Sequence, residues 1–201
     1  MQVQGKYHKE SDKKKISKQF IAIFRWHIIR KYIICSFERF IEKQHRKFKM
    51  EIIYNKLLQE IEAFVTSGET RSEILLNTCK LLKDKVYHYD WVGFYILDEK
   101  ESTLILGSYV GKPTEHTKIP VGKGVCGQVA KNKKLKIVQD VTQEGNYIAC
   151  SLDVQSEIVV PILKEGNFVA EIDIDSHSPA PFTIDDEEFL TSICQKLSVL
   201  F

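Results

Sequence analysis

The stretch SEIVVPILKEGNFVAEIDIDS, residues 156–176, decides the fold. Two apolar, β-branched runs, 157–163 and 168–175, flank four residues centred on Gly166, which is the pattern of a β-hairpin. In the second run Asp173 and Asp175 stand two apart, so a strand turns both carboxylates to one face. Glu157 opens the partner run, near enough in hairpin geometry to join them. Taken alone, the two aspartates read equally well as a solvated sheet face. Further β-like runs lie outward of the hairpin at 91–97, 103–110 and 135–138. Runs this short, joined by turns, need none of the helical crossovers of a parallel sheet.

Helical patterns bracket the strands. Ile53, Leu57, Leu58, Ile61 and Val65 keep roughly helical spacing until Thr66, Ser67 and Gly68 break it. Leu75, Cys79, Leu82 and Val86 share one face of a second helix, which makes Cys79 a small core residue. The last helix starts near Thr183, where Asp186 three residues on completes a capping box. Phe189, Ile193, Leu197 and Leu200 form its buried stripe, with Cys194 beside it. The expected fold class is α+β, an antiparallel sheet sandwiched by helices.

The 201 residues suffice for one ordinary domain with an appendage. An apolar share of 43% and a charged share of 28% exclude a collagen-like, disulfide-scaffold or wholly disordered chain. Five cysteines without a CxxC pair argue against a secreted disulfide framework and for thiols kept reduced in the cytoplasm. Charge divides the chain sharply. Residues 1–49 hold 14 Lys and Arg against 4 Asp and Glu, whereas 50–201 hold 15 against 23. The boundary is placed there: a basic extension over 1–49 and a domain over 50–201. The extension reads as a poorly ordered arm, or as sequence translated ahead of a natural start at Met50. Its apolar run over 20–35 is interrupted by Arg25, Arg30 and Lys31, so no membrane span is expected. Nothing in it supports a nucleic-acid arm, a membrane-surface helix or a docking segment.

GKGVCG, residues 122–127, satisfies the G-x-G-x-x-G pattern of dinucleotide sites. Pro120 lies directly upstream, and seven residues separate Gly127 from the run at 135, too few for the crossover of a parallel unit. The glycines read better as a tight turn delivering Cys126 to a helix start. Backbone N–H groups there, with Lys123 nearby, favour a thiolate. A reactive thiol and a buried structural one remain equal readings on spacing alone.

Over residues 89–189 the chain resembles the GAF-domain free methionine-R-sulfoxide reductases. The resemblance rests on DWVGFY (90–95), GKGVCGQVA (122–130), NYIACS (146–151), SEIVVPI (156–162) and EIDIDSHS (171–178), in family order and near-family spacing. It implies reduction of free L-methionine-(R)-S-oxide in a small enclosed pocket. Trp91 and Tyr95 match the aromatic walls, Glu157, Asp173 and Asp175 the acidic residues, and Cys126 and Cys150 two of the family's three cysteines. The implied chemistry passes through a cysteine sulfenic acid and a disulfide, with Cys150 attacking and Cys126 as partner, or the reverse. A thioredoxin-like dithiol would restore the pair, and no metal or organic cofactor is called for. A homodimer is also what the resemblance suggests.

The residues suit that role. A carboxylate cluster can pair the ammonium of a free amino acid, and crowding keeps a proton on at least one member, which can then act as general acid. The sequence departs from the family where His116 stands in place of the third cysteine, which bears on how the enzyme is recycled. A zinc site of His116, Cys126 and Cys150 lacks a ligand pair of typical spacing. The alternative function is a non-catalytic sensor binding a small amino-acid-like ligand, which would need the pocket but not Cys150.

Overall fold

The computed structural model of the chain describes residues 47–146 and 153–201, together with five positions between 37 and 45. The reading of 1–49 as an extension therefore lies almost wholly outside the described residues, and Cys150 lies outside them too. Residues Met1–Glu51 and Ile52–Phe201 form separate compact units, and the second carries the fold. Among the described residues no helix is long and apolar enough to cross a membrane.

In this second unit α1 runs over 52–65 and α2 over Arg71–Lys85. The strands are β1 Trp91–Asp98, β2 Thr103–Val110, β3 Lys118–Pro120, β4 Lys136–Val138, β5 Ser156–Lys164 and β6 Asn167–Ser176. Helix α3, Gly124–Asn132, falls between β3 and β4, and α4, Ile184–Leu197, closes the chain. The six strands form one sheet in the order β3-β2-β1-β6-β5-β4, every neighbouring pair antiparallel. This bears out the α+β expectation and adds β3, a three-residue strand too short to announce itself.

Alternation sorts the residues of the central strands. Phe94 of β1, Ile158, Val160 and Ile162 of β5, and Ile172 and Ile174 of β6 are all buried and share parity in the register. The buried residues of the flanking helices, Leu57 and Ile61 of α1, Leu75 and Leu82 of α2 and Leu190 and Ile193 of α4, complete this apolar layer. Each such side chain contributes about 1.5–3 kcal/mol by leaving water. Cys79 and Cys194 lie in it, buried, and desolvation pushes both thiols far up. They are packing, as the helical spacing predicts.

Caps set where the helices begin. Thr183 N–H donates to Asp186 Oδ2 at 2.8 Å and its hydroxyl accepts from the Asp185 N–H, the capping box foreseen for α4. An unforeseen box starts α2, where Thr70 N–H donates to Glu73 Oε2 at 2.9 Å.

Candidate active site

The opposite parity of the central strands carries the chemistry. Trp91, Gly93 and Tyr95 of β1 stand across from Asp175, Asp173 and Glu171 of β6, and these three stand in turn across from Glu157, Val159 and Pro161 of β5. Four carboxyls thus share one face over two adjacent strands, β6 and β5. All four are buried, with Glu157 at 5% the most exposed. Sequence reasoning found three and missed Glu171, although the same alternation, extended one step from Asp173, reaches it.

Helix α3 brings Cys126 to these acids. Gly122 and Gly124 take left-handed φ values of 93° and 63°, and the Gly127 N–H donates to the Lys123 carbonyl at 2.9 Å. A Cβ on Gly127 would lie 2.6 Å from the Pro120 carbonyl oxygen, so only glycine lets the helix sit this close to β3. The G-x-G-x-x-G pattern is therefore a packing device here. Lys123 provides no side-chain cap; Asn146 Oδ1 accepts from Gly124 N–H at 3.2 Å, and its amide donates to the Gly122 carbonyl at 3.1 Å. Asn146 also opens the NYIACS stretch, so the chain is anchored at the α3 N-terminus four residues before Cys150.

The Cys126 thiol is 3% exposed and lies 3.9 Å from Glu157 Oε1. It also neighbours the carboxyls of Asp173 and Glu171, where it pulls against their upward shifts. Its sulfur and one oxygen each of Glu157 and Asp173 fall within 4.8 Å of one another, close enough together to be weighed as a metal-ligand set. The set has no histidine, and burial favours protons on its oxygens, so it suits proton sharing or an ammonium better than a metal ion.

The electrostatics follow from burying acids beside acids. Burial pushes Glu157 well above the usual carboxylate range, and the charges of Asp173, Asp175 and Glu171 push the same way. Desolvation lifts Asp173 to about 7 against hydrogen bonds from Cys126 and Glu157. Asp175 rises through burial, then through Asp173 and Asp90. Such a row holds protons near neutral pH and can give one up to a substrate oxygen.

Aromatic walls close one side. Trp91 stacks on Tyr109 with centroids 5.4 Å apart, and its Nε1–H donates to the Lys112 carbonyl at 3.1 Å. Gly93 makes room for the indole, since a Cβ there would meet Trp91 Cη2 at 2.2 Å. Tyr95 is fully buried and donates its hydroxyl to the His116 carbonyl at 2.8 Å, so its polar tip fixes the loop that carries His116. A narrow recess between Trp91, Lys112, Thr114, Asp175 and His177 leads to the acid row. The structure brings Trp91, Tyr95, Cys126, Glu157, Asp173 and Asp175 to one place.

An antiparallel sheet with helices on both sides, carrying buried acids, aromatics and a thiol on one face, defines an α+β module. The sequence pattern of the GAF domain matches residues 70–200. The free methionine-R-sulfoxide reductase of Escherichia coli is 33% identical over 144 residues, covering 72% of this chain and 86% of that one. GAF domain-containing protein A of Dictyostelium discoideum is 38% identical over 144 residues, covering 72% and 89%. Among solved structures, the free methionine-R-sulfoxide reductase of Neisseria meningitidis in complex with its substrate is 34% identical, with a TM-score of 0.70 over 74% of this chain and 87% of that one. The chain belongs to the GAF-domain free methionine-R-sulfoxide reductase family, and is an oxidoreductase of that kind.

Proposed function

We propose that the protein reduces free L-methionine-(R)-S-oxide to methionine through a cysteine sulfenic acid and a disulfide. The observation that carries this reading is the Cys126 thiol lying against a buried carboxyl row in a cage walled by Trp91 and Tyr95. The substrate's ammonium pairs with ionised members of the row, and its S-methyl group packs on the indole. A row member that retains its proton donates it to the sulfoxide oxygen as general acid.

Cys150 attacks the sulfoxide sulfur as thiolate. The S–O bond breaks, the oxygen is transferred to Cys150 as a sulfenic acid, and methionine leaves. Cys126 then attacks the sulfenic sulfur, an S–S bond forms, and the oxygen departs as water with the thiol proton. Two electrons have passed from the two thiols to the substrate, and a thioredoxin-like dithiol returns them by exchange. With His116 in place of the family's third cysteine, Cys126 carries the resolving role. The enclosed site excludes a peptide-bound substrate.

The test follows methionine release from each sulfoxide epimer, free and peptide-bound, with dithiothreitol as reductant. Release from the free R epimer alone is expected, and Cys150→Ser should abolish it. Binding without release would favour the sensor reading instead.

A further inference from the structure

Each cycle of the proposed reaction takes one proton out of the carboxyl row. The row gives it to the sulfoxide oxygen, and it leaves in the water formed with the disulfide. When an external dithiol reduces that disulfide, one of its two protons stays on Cys126 as thiol. The other passes to solvent, with Cys150 left as thiolate. The row must therefore recover a proton from solvent, although all four of its members are buried. The recess reaches the row at Asp175, which is 1% exposed and whose Oδ1 has no hydrogen-bond partner among the described residues. A buried carboxyl oxygen left so calls for a reason. The free space in the recess, about 20 Å³, is enough for one water molecule between Asp175 and the rim.

His177 stands on that rim, half exposed, with Asp90 beside it. Asp90 ties the turn together: its N–H donates to the Asp175 carbonyl at 2.9 Å, and its Oδ2 accepts from the His177 N–H at 2.7 Å. Asp90 Oδ1 lies 3.7 Å from His177 Nδ1 and so faces one ring nitrogen, leaving Nε2 for exchange. The charged groups around the imidazole are Asp90 ahead of β1, Asp175 on β6 and Lys112 beyond β2, and Lys112 is held in an ion pair with Asp153. An imidazole takes up and releases protons near neutral pH, which suits the rim for this exchange. We propose that His177 is the proton-return residue of the site: held by Asp90, its imidazolium passes a proton through a water in the recess to Asp175 and takes another from solvent. Glu157 faces Asp175 directly across the β5–β6 register and carries the proton on towards Cys126, whose sulfur lies 3.9 Å from Glu157 Oε1. Burial, then the charges of Asp173 and Asp90, favour the proton on Asp175. This role rests on the reductase reading of the site.

The experiment follows methionine release from the free R epimer by wild type and His177→Gln, as full chains, in dilute HEPES. At pH 8 the variant should release its first methionine, measured without reductant, at the wild-type rate, because the row enters that turnover already protonated. In steady state with saturating dithiothreitol its kcat should fall about tenfold while KM holds. The gap should close to about threefold or less at pH 6, where hydronium is more plentiful. Added imidazole should restore most of the lost kcat in the variant and leave wild type unchanged, which a merely structural defect would not allow. Equal steady-state rates at pH 8 overturn the proposal. So does a slowed first turnover, which would put His177 in binding or in the chemical step, and so does a loss that imidazole leaves untouched. If His177→Gln fails to fold, His177→Asn takes its place. A wild-type protein that releases no methionine defeats the reductase reading and the relay together, whereas an active wild type matched by its variant defeats the relay alone.

Discussion

Asp173 sits where the physics of the site is most concentrated. It is 1% exposed, flanked along β6 by Glu171 and Asp175, and close to both Glu157 and Cys126. Its folded-state ionisation near pH 7 lies above the ordinary value of 3.8. A raised carboxyl stabilises the fold relative to an ionised one below about pH 4, and that contribution is lost as pH rises towards 7. Asp173→Asn should therefore raise the thermal midpoint more at pH 8 than at pH 5; equal gains at the two pH values would refute the upward shift. The same variant should lower turnover of the free sulfoxide on the order of a hundredfold, because an amide cannot deliver the proton. Asp173 and Asp175 were legible in the sequence because a strand repeats every two residues. Glu171 obeys the same rule and opens the EIDIDSHS stretch, but it was given no role there, and its complete burial is what sets it apart.

At the scale of elements, α3 is held by its buried Val125, Val129 and Ala130 and by a close backbone approach to β3. Gly127 lies against the Pro120 carbonyl, and Asn146 clamps the helix start. Gly127→Ala should cost about 1–3 kcal/mol by overpacking, since backbone cannot yield as a flexible side chain would. It should also displace Cys126 from the acids. Differential scanning calorimetry with Cys126 alkylation checks both, and an unchanged thiol would show that the helix tolerates the shift. The sequence made the short helix and its cysteine visible through the glycines. It left the clamp unread, because Asn146 and Gly124 meet only through a tertiary contact 22 residues apart.

Across the whole unit, one carboxylate ties together segments far apart in the chain. Asp186 Oδ1 accepts from Tyr54 of α1 at 2.7 Å and from Tyr89 at 2.9 Å, and lies 2.9 Å from His88 Nε2. Its other oxygen caps α4 through Thr183. Burial alone would raise this carboxyl, but the hydrogen bonds from His88, Tyr54 and Thr183 hold it at about 2. A lowered carboxyl stabilises the fold above about pH 4, and the contribution fades as pH falls towards 2. Asp186→Ala should cost about 3 kcal/mol or more by orphaning buried donors, and Tyr54→Phe about 1 kcal/mol. Urea titrations at pH 7 and pH 3 check both, with the Asp186 penalty smaller at the lower pH. Removal of residues 1–49 should leave fold and activity intact; loss of the cooperative transition in the shortened chain would refute that boundary.

Local rules carried much of the way from sequence to fold. Period two in 156–176, period 3.6 in 71–85 and 184–197, and the Thr183 cap each depend on residues within a few positions, so they could be read without coordinates. The capping role of Asp186 was read in this way. Its ties to Tyr54, His88 and Tyr89 were not, because they join residues 132, 98 and 97 positions apart. The fourth acid and its thiol neighbour belong to the same class. Burial and proximity are properties of the folded chain, and they turn four acidic letters into a proton-holding cage.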